Sequence, residues 1–347
     1  MVSNVNAAIV GFGNAGRIFH TPLIRAASGL NLHTIVSSRP ADVLAAVPGV
    51  RVVPDLETAL SDPEIDLVVI ATPNAMHAPQ ALAALRAGKH VVVDKPFCLN
   101  LDEAESLMVE AKSSGRLLSV FHNRRWDADF LTVQRLITDD KLGEITRLVS
   151  RFDRFRPKLR DRWREQDVPG AGLWFDLGPH LVDQMLCLFG KPVSLMADMA
   201  RQRDGSVVDD YFNVTLKYER LRVTVSASVL TPAAGPRFEV HGTKGTFVKY
   251  GLDPQEDALK AGGDPTDPSF GIDGHEGSYW PVIIDDHVGM NESVMSERGR
   301  HLSFYEAIAA ALMDDAPNPV LPEEAYEVMR ILELGQLSAH EGTEVHL

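Results

Sequence analysis

The feature that most constrains the fold is the run Asn6-Ala-Ala-Ile-Val10, followed at once by Gly11-Phe12-Gly13-Asn14-Ala15-Gly16 and then by a helical stretch. An apolar β run, a GxGxxG turn and a helix in immediate succession open a dinucleotide-binding unit. Gly11 permits the tight turn, Gly13 lets backbone approach a pyrophosphate, and Gly16 lets the helix pack closely on the strand. The helix N-terminus then offers free N–H groups and a partial positive charge to phosphates. A glycine turn without a ligand is the alternative. The strand–turn–helix context stands against it.

The βα rhythm continues. Leu32 to Val36 reads as the second strand and ends in Ser37-Ser38-Arg39. An NAD site carries an Asp or Glu about here to accept from the ribose 2′-OH, and none is present. Two hydroxyls and a guanidinium suit a 2′-phosphate instead, because Arg presents a planar fork of donors. NADP(H) is therefore expected over NAD(H), unless Arg39 is merely a solvated loop residue. A third apolar run, Asp66 to Ala71, leads through Thr72-Pro73-Asn74 into a helix over Ala75 to Gly88. Ala71, Thr72, Pro73 and Asn74 then face the cofactor crevice. His77, in the first turn, is either a helix-surface or capping histidine or a cofactor contact.

His90 to Val93 is the next strand and ends in Asp94-Lys95-Pro96. The carboxyl ends of strands in open α/β sheets are where ligands bind, so Asp94 and Lys95 are placed at the site. Asn100 and Glu103 have capping-box spacing for a helix over Leu101 to Ser114, with Gly115 as its C-terminal cap. Leu117 to Phe121 closes a parallel, doubly wound half. His122 to Asp127 is a polar turn at a strand end, in which Asn123 is a candidate for cofactor or substrate, and a helix over Ala128 to Thr138 follows.

From Ile145 onward, alternating strand-like runs predominate: 145–152, 193–199, 211–218, 221–229, 237–240 and 246–250. They predict an open, mostly antiparallel sheet, which can leave one face for helices and the other for a partner. Residues 252–300, rich in Gly, Asp and Pro, read as a long irregular segment, and helices near 301–314 and 323–339 finish the chain. With 347 residues, two domains are expected: a Rossmann domain over 1–122 and a substrate-binding and oligomerisation α/β domain over 123–347. Within the second lies Gly170-Ala-Gly172-Leu-Trp-Phe-Asp176-Leu-Gly178-Pro179-His180, opening a helix. Asp176 and His180 are four apart and so share a helix face. A carboxylate beside an imidazole suits proton transfer near neutral pH. An incidental histidine after a dipole-favoured Asp fits the spacing as well, and Pro179 bends the helix or marks its start. The basic run Arg151 to Arg164 is either a solvated edge whose charges meet acids elsewhere or a site for polyhydroxyl or phosphate groups. Arg162 and Trp163 are its candidates.

A net charge of −14 disfavours nucleic acid, whose sequence-independent binding needs Lys and Arg. No apolar run nears the roughly 20 residues that cross a bilayer, and the first residues lack a secretory pattern. Cys98 and Cys187 are too few for a disulfide framework, so a cytoplasmic protein is expected. No H-x-x-x-H or Cys cluster points to a metal.

GFGNAG, then DKP about eighty residues later, then GAGLWFDLGPH resemble, in that order, the motifs of the Gfo/Idh/MocA oxidoreductases. The SSRP and HNRRWD stretches look most like the NADP-dependent inositol and sugar dehydrogenase branch. The resemblance implies that Lys95 is the lysine of the family's EKP motif, with Asp94 in place of the glutamate. It implies that Asp176 and His180 are the D and H of GGxxxDxGxH, with Ala171 at a glycine. It further implies His180 as the base, held by Asp176, with Lys95 on the reacting oxygen of a polyol, cyclitol or sugar. Asn123, Arg162 and Trp163 would position cofactor or substrate. A homodimer or homotetramer through the C-terminal sheet is implied too. A reductase of a sugar-derived carbonyl, using the same groups in reverse, and a non-catalytic nucleotide-binding regulator are the competing readings.

Overall fold

The computed structural model describes residues 4–283 and 287–347. The reading of the extreme N-terminus, and three positions of the segment expected to be irregular, therefore fall partly outside the described residues. The chain forms two compact units. One comprises Met1–Trp126, Gln255–Phe270 and Arg300–Met329, the other Asp127–Pro254, Gly271–Gly299 and Arg330–Leu347.

The first unit is built on six parallel strands: β1 (Val5–Val10), β2 (Leu30–Val36), β3 (Arg51–Val53), β4 (Leu67–Ile70), β5 (His90–Val93) and β6 (Leu118–Val120). Their order is β3-β2-β1-β4-β5-β6, the doubly wound arrangement. Ile9, Leu67 to Ile70 and Val91 to Val93 have no exposed surface. Strands covered on both faces read as continuous apolar runs without alternation. Each such side chain contributes roughly 1.5–3 kcal/mol of burial. The order reverses between β1 and β4, where Val10 pairs Ile70 and Ile70 pairs Val93 in register. Gly11, Ala71 and Asp94 thus leave the sheet side by side.

Local signals agree with this frame. Asn100 accepts from the Glu103 N–H and Glu103 from the Leu99 N–H, both at 2.9 Å. Gly115 ends the helix Leu101–Ser114 with φ 64°. Ala15–His20 forms wide π-helical turns before the α-helix Thr21–Ala26, with the Thr21 N–H bonded to Gly16 O. No spacing in the sequence announced that widening.

The second unit is a nine-stranded sheet in the order β14-β13-β12-β11-β7-β10-β9-β8-β15. Its strands are β7 (Ile145–Arg151), β8 (Ser194–Ala200), β9 (Tyr211–Lys217), β10 (Arg222–Ser228), β11 (Phe238–Gly242), β12 (Gly245–Lys249), β13 (Gly277–Pro281), β14 (Glu292–Val294) and β15 (Val345–His346). All pairs are antiparallel except β7 with β10. Residues 252–300 are more ordered than expected: they hold a helix, Gln255–Lys260, and both β13 and β14. These strands, of five and three residues, are too short to show a period, and β13 itself begins at Gly277 and ends at Pro281. Pairing of Phe247 with Tyr279 places β13.

Along β9 and β10, Phe212, Val214, Leu216, Val223, Val225 and Ala227 point into the core, while Asn213, Thr215, Thr224 and Ser226 line the other face. The helix Leu173–Phe189 covers the apolar face. It is seated by Trp174, fully buried, whose Nε1 donates to Leu332 O at 3.0 Å and whose ring meets Phe212 at 4.9 Å. A Cβ on Gly178 would lie 2.6 Å from this ring, and one on Gly335 2.8 Å. Two glycines make the slot the indole fills.

Gly335→Ala tests that slot. Removing a helical glycine favours stability by up to about 1 kcal/mol, but overpacking against a ring that cannot retreat costs about 1–3 kcal/mol. The midpoint of thermal unfolding by circular dichroism should fall by a few degrees; a rise would show the slot to be loose.

Candidate active site

In the first unit every residue expected at the cofactor crevice lies at or just beyond a strand's carboxyl end. Gly11 has φ 98°, and a Cβ there would stand 2.8 Å from Ala71 O. A Cβ on Gly16 would stand 2.1 Å from Gly11 O, so the helix is drawn onto the turn. A Cβ on Gly13 would meet nothing within 4 Å, so the backbone there is open to a ligand. Phe12 is buried, Asn14 exposed and Ala15 half-buried. Ser37 and Ser38 follow β2, and the Ser37 hydroxyl accepts from the Arg39 N–H at 3.1 Å. Arg39 folds back over the glycine turn: its Nη2 donates to Phe12 O at 3.3 Å and its Nη1 lies 3.4 Å from Asp42. Its side chain is still 62% exposed, so the guanidinium remains accessible beside the turn.

After β4, Ala71 and Asn74 are buried, Pro73 is exposed, and the Thr72 hydroxyl donates to Gln80 at 2.7 Å. His77 is not on the surface, and its backbone N–H caps the 3₁₀ turn Asn74–Met76 by donating to Asn74 O. It is buried, with Nδ1 2.8 Å from Pro96 O and Nε2 2.9 Å from Thr72 O. A neutral imidazole has one N–H, so it donates to one of these two carbonyls and packs between the turns after β4 and β5. Burial pushes its pKa down, against Asp94 and the two carbonyls. Asp94 Oδ1 accepts from the Lys95 N–H at 2.8 Å. Burial alone would push the Asp94 carboxyl up, but the contact with His20 and the nearness of His77 and Lys95 hold it down at about 2. Lys95 is half-buried. Asn123, buried, opens a short 3₁₀ turn, Asn123–Trp126.

In the second unit the helix Leu173–Phe189 runs unbroken through Pro179. Gly172 precedes it at φ 96°, where a Cβ would meet Asp209 Oδ1 at 2.1 Å. Asp209 accepts the Trp174 N–H at 2.6 Å through its carboxylate and the Leu173 N–H at 2.9 Å through its own carbonyl. Two N–H groups of the first turn are thereby satisfied. Burial pushes the Asp209 pKa up to about 6, with Asp210 adding to the rise against the backbone N–H groups. His180 is 7% exposed, and Asp176, one turn earlier, faces Arg164 with Nε 3.3 Å from Oδ1.

The basic run meets acids. Arg162 bonds Glu165 at 2.8 Å, Arg203 lies 3.2 Å from Glu165 and 2.9 Å from Asp210, and Arg151 pairs with Glu239. Arg203, Glu165 and Asp210 are almost fully buried, so this chain of charges fastens the loop. Trp163 carries the Arg164 guanidinium over its ring at 4.5 Å. Sequence reasoning passed over Asp209, His20 and Tyr305, and read Arg164 only as one charge of the basic run. Each acts on a partner from another element, and only the crowding at Gly172 was legible in advance, as a glycine.

A parallel sheet with a glycine turn at its reversal point, Arg39 beside that turn and Lys95 at the carboxyl end of β5 define a nicotinamide-dependent dehydrogenase. The chain belongs to the Gfo/Idh/MocA oxidoreductases. Residues 5–122 match the family's NAD-binding Rossmann fold and residues 134–347 its C-terminal alpha/beta domain. It is 47% identical to the uncharacterized oxidoreductase YdgJ of Escherichia coli over 98% of this chain and 97% of that one. It is 38% identical to the scyllo-inositol 2-dehydrogenase (NADP(+)) IolW of Bacillus subtilis over 100% and 97% of the two chains. The solved structure of yvaA from Bacillus subtilis superposes with a TM-score of 0.97 at 38% identity, covering 100% and 99%. No helix among the described residues is long and apolar enough to cross a membrane.

Asp209 gives a pH prediction. A carboxyl raised from 3.8 to about 6 on folding binds its proton more tightly folded than unfolded, so stability falls as pH rises through that window. Asp209→Asn removes the titration and keeps an acceptor for the Trp174 N–H. Its advantage over wild type should grow between pH 4 and pH 6 and level off above. Because Asp209 is partly exposed, about 1 kcal/mol, or a few degrees, is expected at pH 7. Melting curves across that range check it; a pH-independent gap would overturn it.

Proposed function

We propose that this chain is an NADP(H)-dependent oxidoreductase interconverting a secondary alcohol with a ketone or lactone on an inositol or sugar. The observation that carries the reading is Lys95 standing at the end of β5 with its amide held by an ionised Asp94. The full-length similarity to a scyllo-inositol dehydrogenase supports the substrate class. The residues at the glycine turn fit a dinucleotide, since Gly13 opens onto free space. Ser37, Ser38 and Arg39, with no acid among them, favour the 2′-phosphate form. Phe12, Asn14, Ala15, Ala71, Thr72, Pro73, Asn74, His77 and Asn123 complete the cofactor's surroundings.

When bound, the cofactor supplies the hydride acceptor or donor. His180 takes the hydroxyl proton. Asp176, itself held by Arg164, orients the imidazole from one turn away. Lys95 hydrogen-bonds the reacting oxygen. Asn123 and Trp163 position cofactor or substrate, and Arg162, tied to Glu165, shapes that wall. Run in reverse, the same groups reduce a sugar-derived carbonyl. Retention of all three proton-handling residues argues against a regulator without activity. The polar face of the nine-stranded sheet is the proposed surface of a homodimer or homotetramer; a monomer by light scattering would exclude it.

Initial rates over a panel of cyclitols and aldoses, each with NADP and with NAD, test the reading. Lys95→Ala and His180→Ala should each lower kcat by ~10²–10⁴-fold. Arg39→Ala should lower kcat/KM with NADP by ~10–100-fold, the scale of a charge-assisted contact, and leave NAD little changed. Near wild-type turnover in the first two variants would overturn the catalytic roles. Turnover with NAD alone would overturn the cofactor preference.

A further inference from the structure

Three residues from distant parts of the first unit line up behind Lys95. His20 ends the π-helical turns that follow the glycine loop, and Tyr305 lies on the helix Leu302–Met313. Both are fully buried. The Tyr305 hydroxyl is 2.6 Å from His20 Nδ1. His20 Nε2 is 3.9 Å from Asp94 Oδ1, the oxygen that accepts the Lys95 N–H at 2.8 Å. Phe121 packs on both rings, 4.5 Å from His20 and 5.7 Å from Tyr305, and holds their planes.

The direction of the chain follows from its ends. Burial and the charge of Asp94 push the tyrosine pKa well up, so the phenol keeps its proton. Among the described residues, His20 Nδ1 is the acceptor that proton has, and a buried donor without an acceptor costs about 1–3 kcal/mol. Tyr305 therefore donates to Nδ1, and the imidazole hydrogen resides on Nε2, facing the carboxylate. At 3.9 Å the second contact is electrostatic rather than a short hydrogen bond. With the imidazole fully buried and the carboxylate nearly so, it still orients the carboxylate.

We propose that His20 and Tyr305 are positioning residues for Lys95: the phenol fixes the His20 tautomer, the Nε2–H holds the Asp94 carboxylate, and the carboxylate holds the Lys95 backbone. The proposal rests on the reading of Lys95 as the group on the reacting oxygen. Nothing in the spacing of the three residues along the chain suggests it. Their juxtaposition is a property of the fold.

The experiment is a double-mutant cycle on kcat with Tyr305→Phe and Asp94→Asn. Tyr305→Phe should lower kcat by about tenfold, the scale of one hydrogen bond, with the dissociation constant for NADPH, followed by its fluorescence, unchanged. The double variant should be no slower than Asp94→Asn alone, because residues acting as one unit are not additive. His20→Gln, which keeps an N–H in the place of Nε2–H, should recover turnover that His20→Leu loses. That pair also serves if Tyr305→Phe does not fold. Multiplicative losses, or equal rates for His20→Gln and His20→Leu, would overturn the proposal. Lys95→Ala in the same series separates the two ideas. If it keeps turnover, the catalytic reading has failed. If it abolishes turnover while the cycle is additive, only the positioning role has failed.

Discussion

The close approach of Gly11 to Ala71 is the constraint on which the rest of the first unit depends. At the reversal point β1 and β4 are neighbours, yet their connections depart to opposite faces of the sheet. A side chain at Gly11 would come within 2.8 Å of Ala71 O. The backbone therefore closes the crevice floor and leaves its mouth to side chains. Strand burial makes this geometry stiff. The strands on either side carry residues with no exposed surface, and a register slip would strand several such side chains against polar turns. In this unit the residues at the crevice are gathered along one edge, the carboxyl ends of the strands.

That edge is where an ionised carboxylate survives burial. Moving Asp94 out of water favours its neutral form, and three neighbours hold the ionised form against that: His20 from the glycine-loop helix, His77 from the turn after β4, and Lys95 from the next residue. None is adjacent to another in sequence except Asp94 and Lys95. The charge is stabilised by topology, because three strand ends open onto one place.

How much of this was legible in the sequence follows from the range of each interaction. The helix Leu101–Ser114 and its Asn100/Glu103 cap, the helix Ala128–Thr138 and the strand His90–Val93 depend on neighbours within a few residues, and their limits were readable to the residue. So was the alternation in β9 and β10. The short strand β3 and the hairpin β13–β14 were not, since three to five residues carry too little pattern and their pairing partners decide them. The basic run 151–164 was legible as charge but not as partnership. Whether Arg162 faces a ligand or Glu165 is set by Arg203 and Asp210, some forty residues further on. His77 shows the same limit: its spacing suggested a helix end, and its ring packs between the carbonyls of two turns.

The aspartate in the DKP motif gains its meaning from that long-range setting. The family's glutamate at this position has one more methylene and a longer reach from the backbone. An aspartate is short enough for Oδ1 to accept the N–H of the very next residue, here Lys95. The carboxylate is thereby tied into the turn through the lysine's main chain. Such a tie holds direction only if the carboxylate is itself fixed, because an Asp side chain pivots about two bonds. The buried imidazole facing it supplies that restraint. A shortened acid and a histidine behind it are thus two halves of one arrangement: the loss of reach at Asp94 is matched by an anchor at His20, and the lysine between strand end and crevice inherits the precision of both.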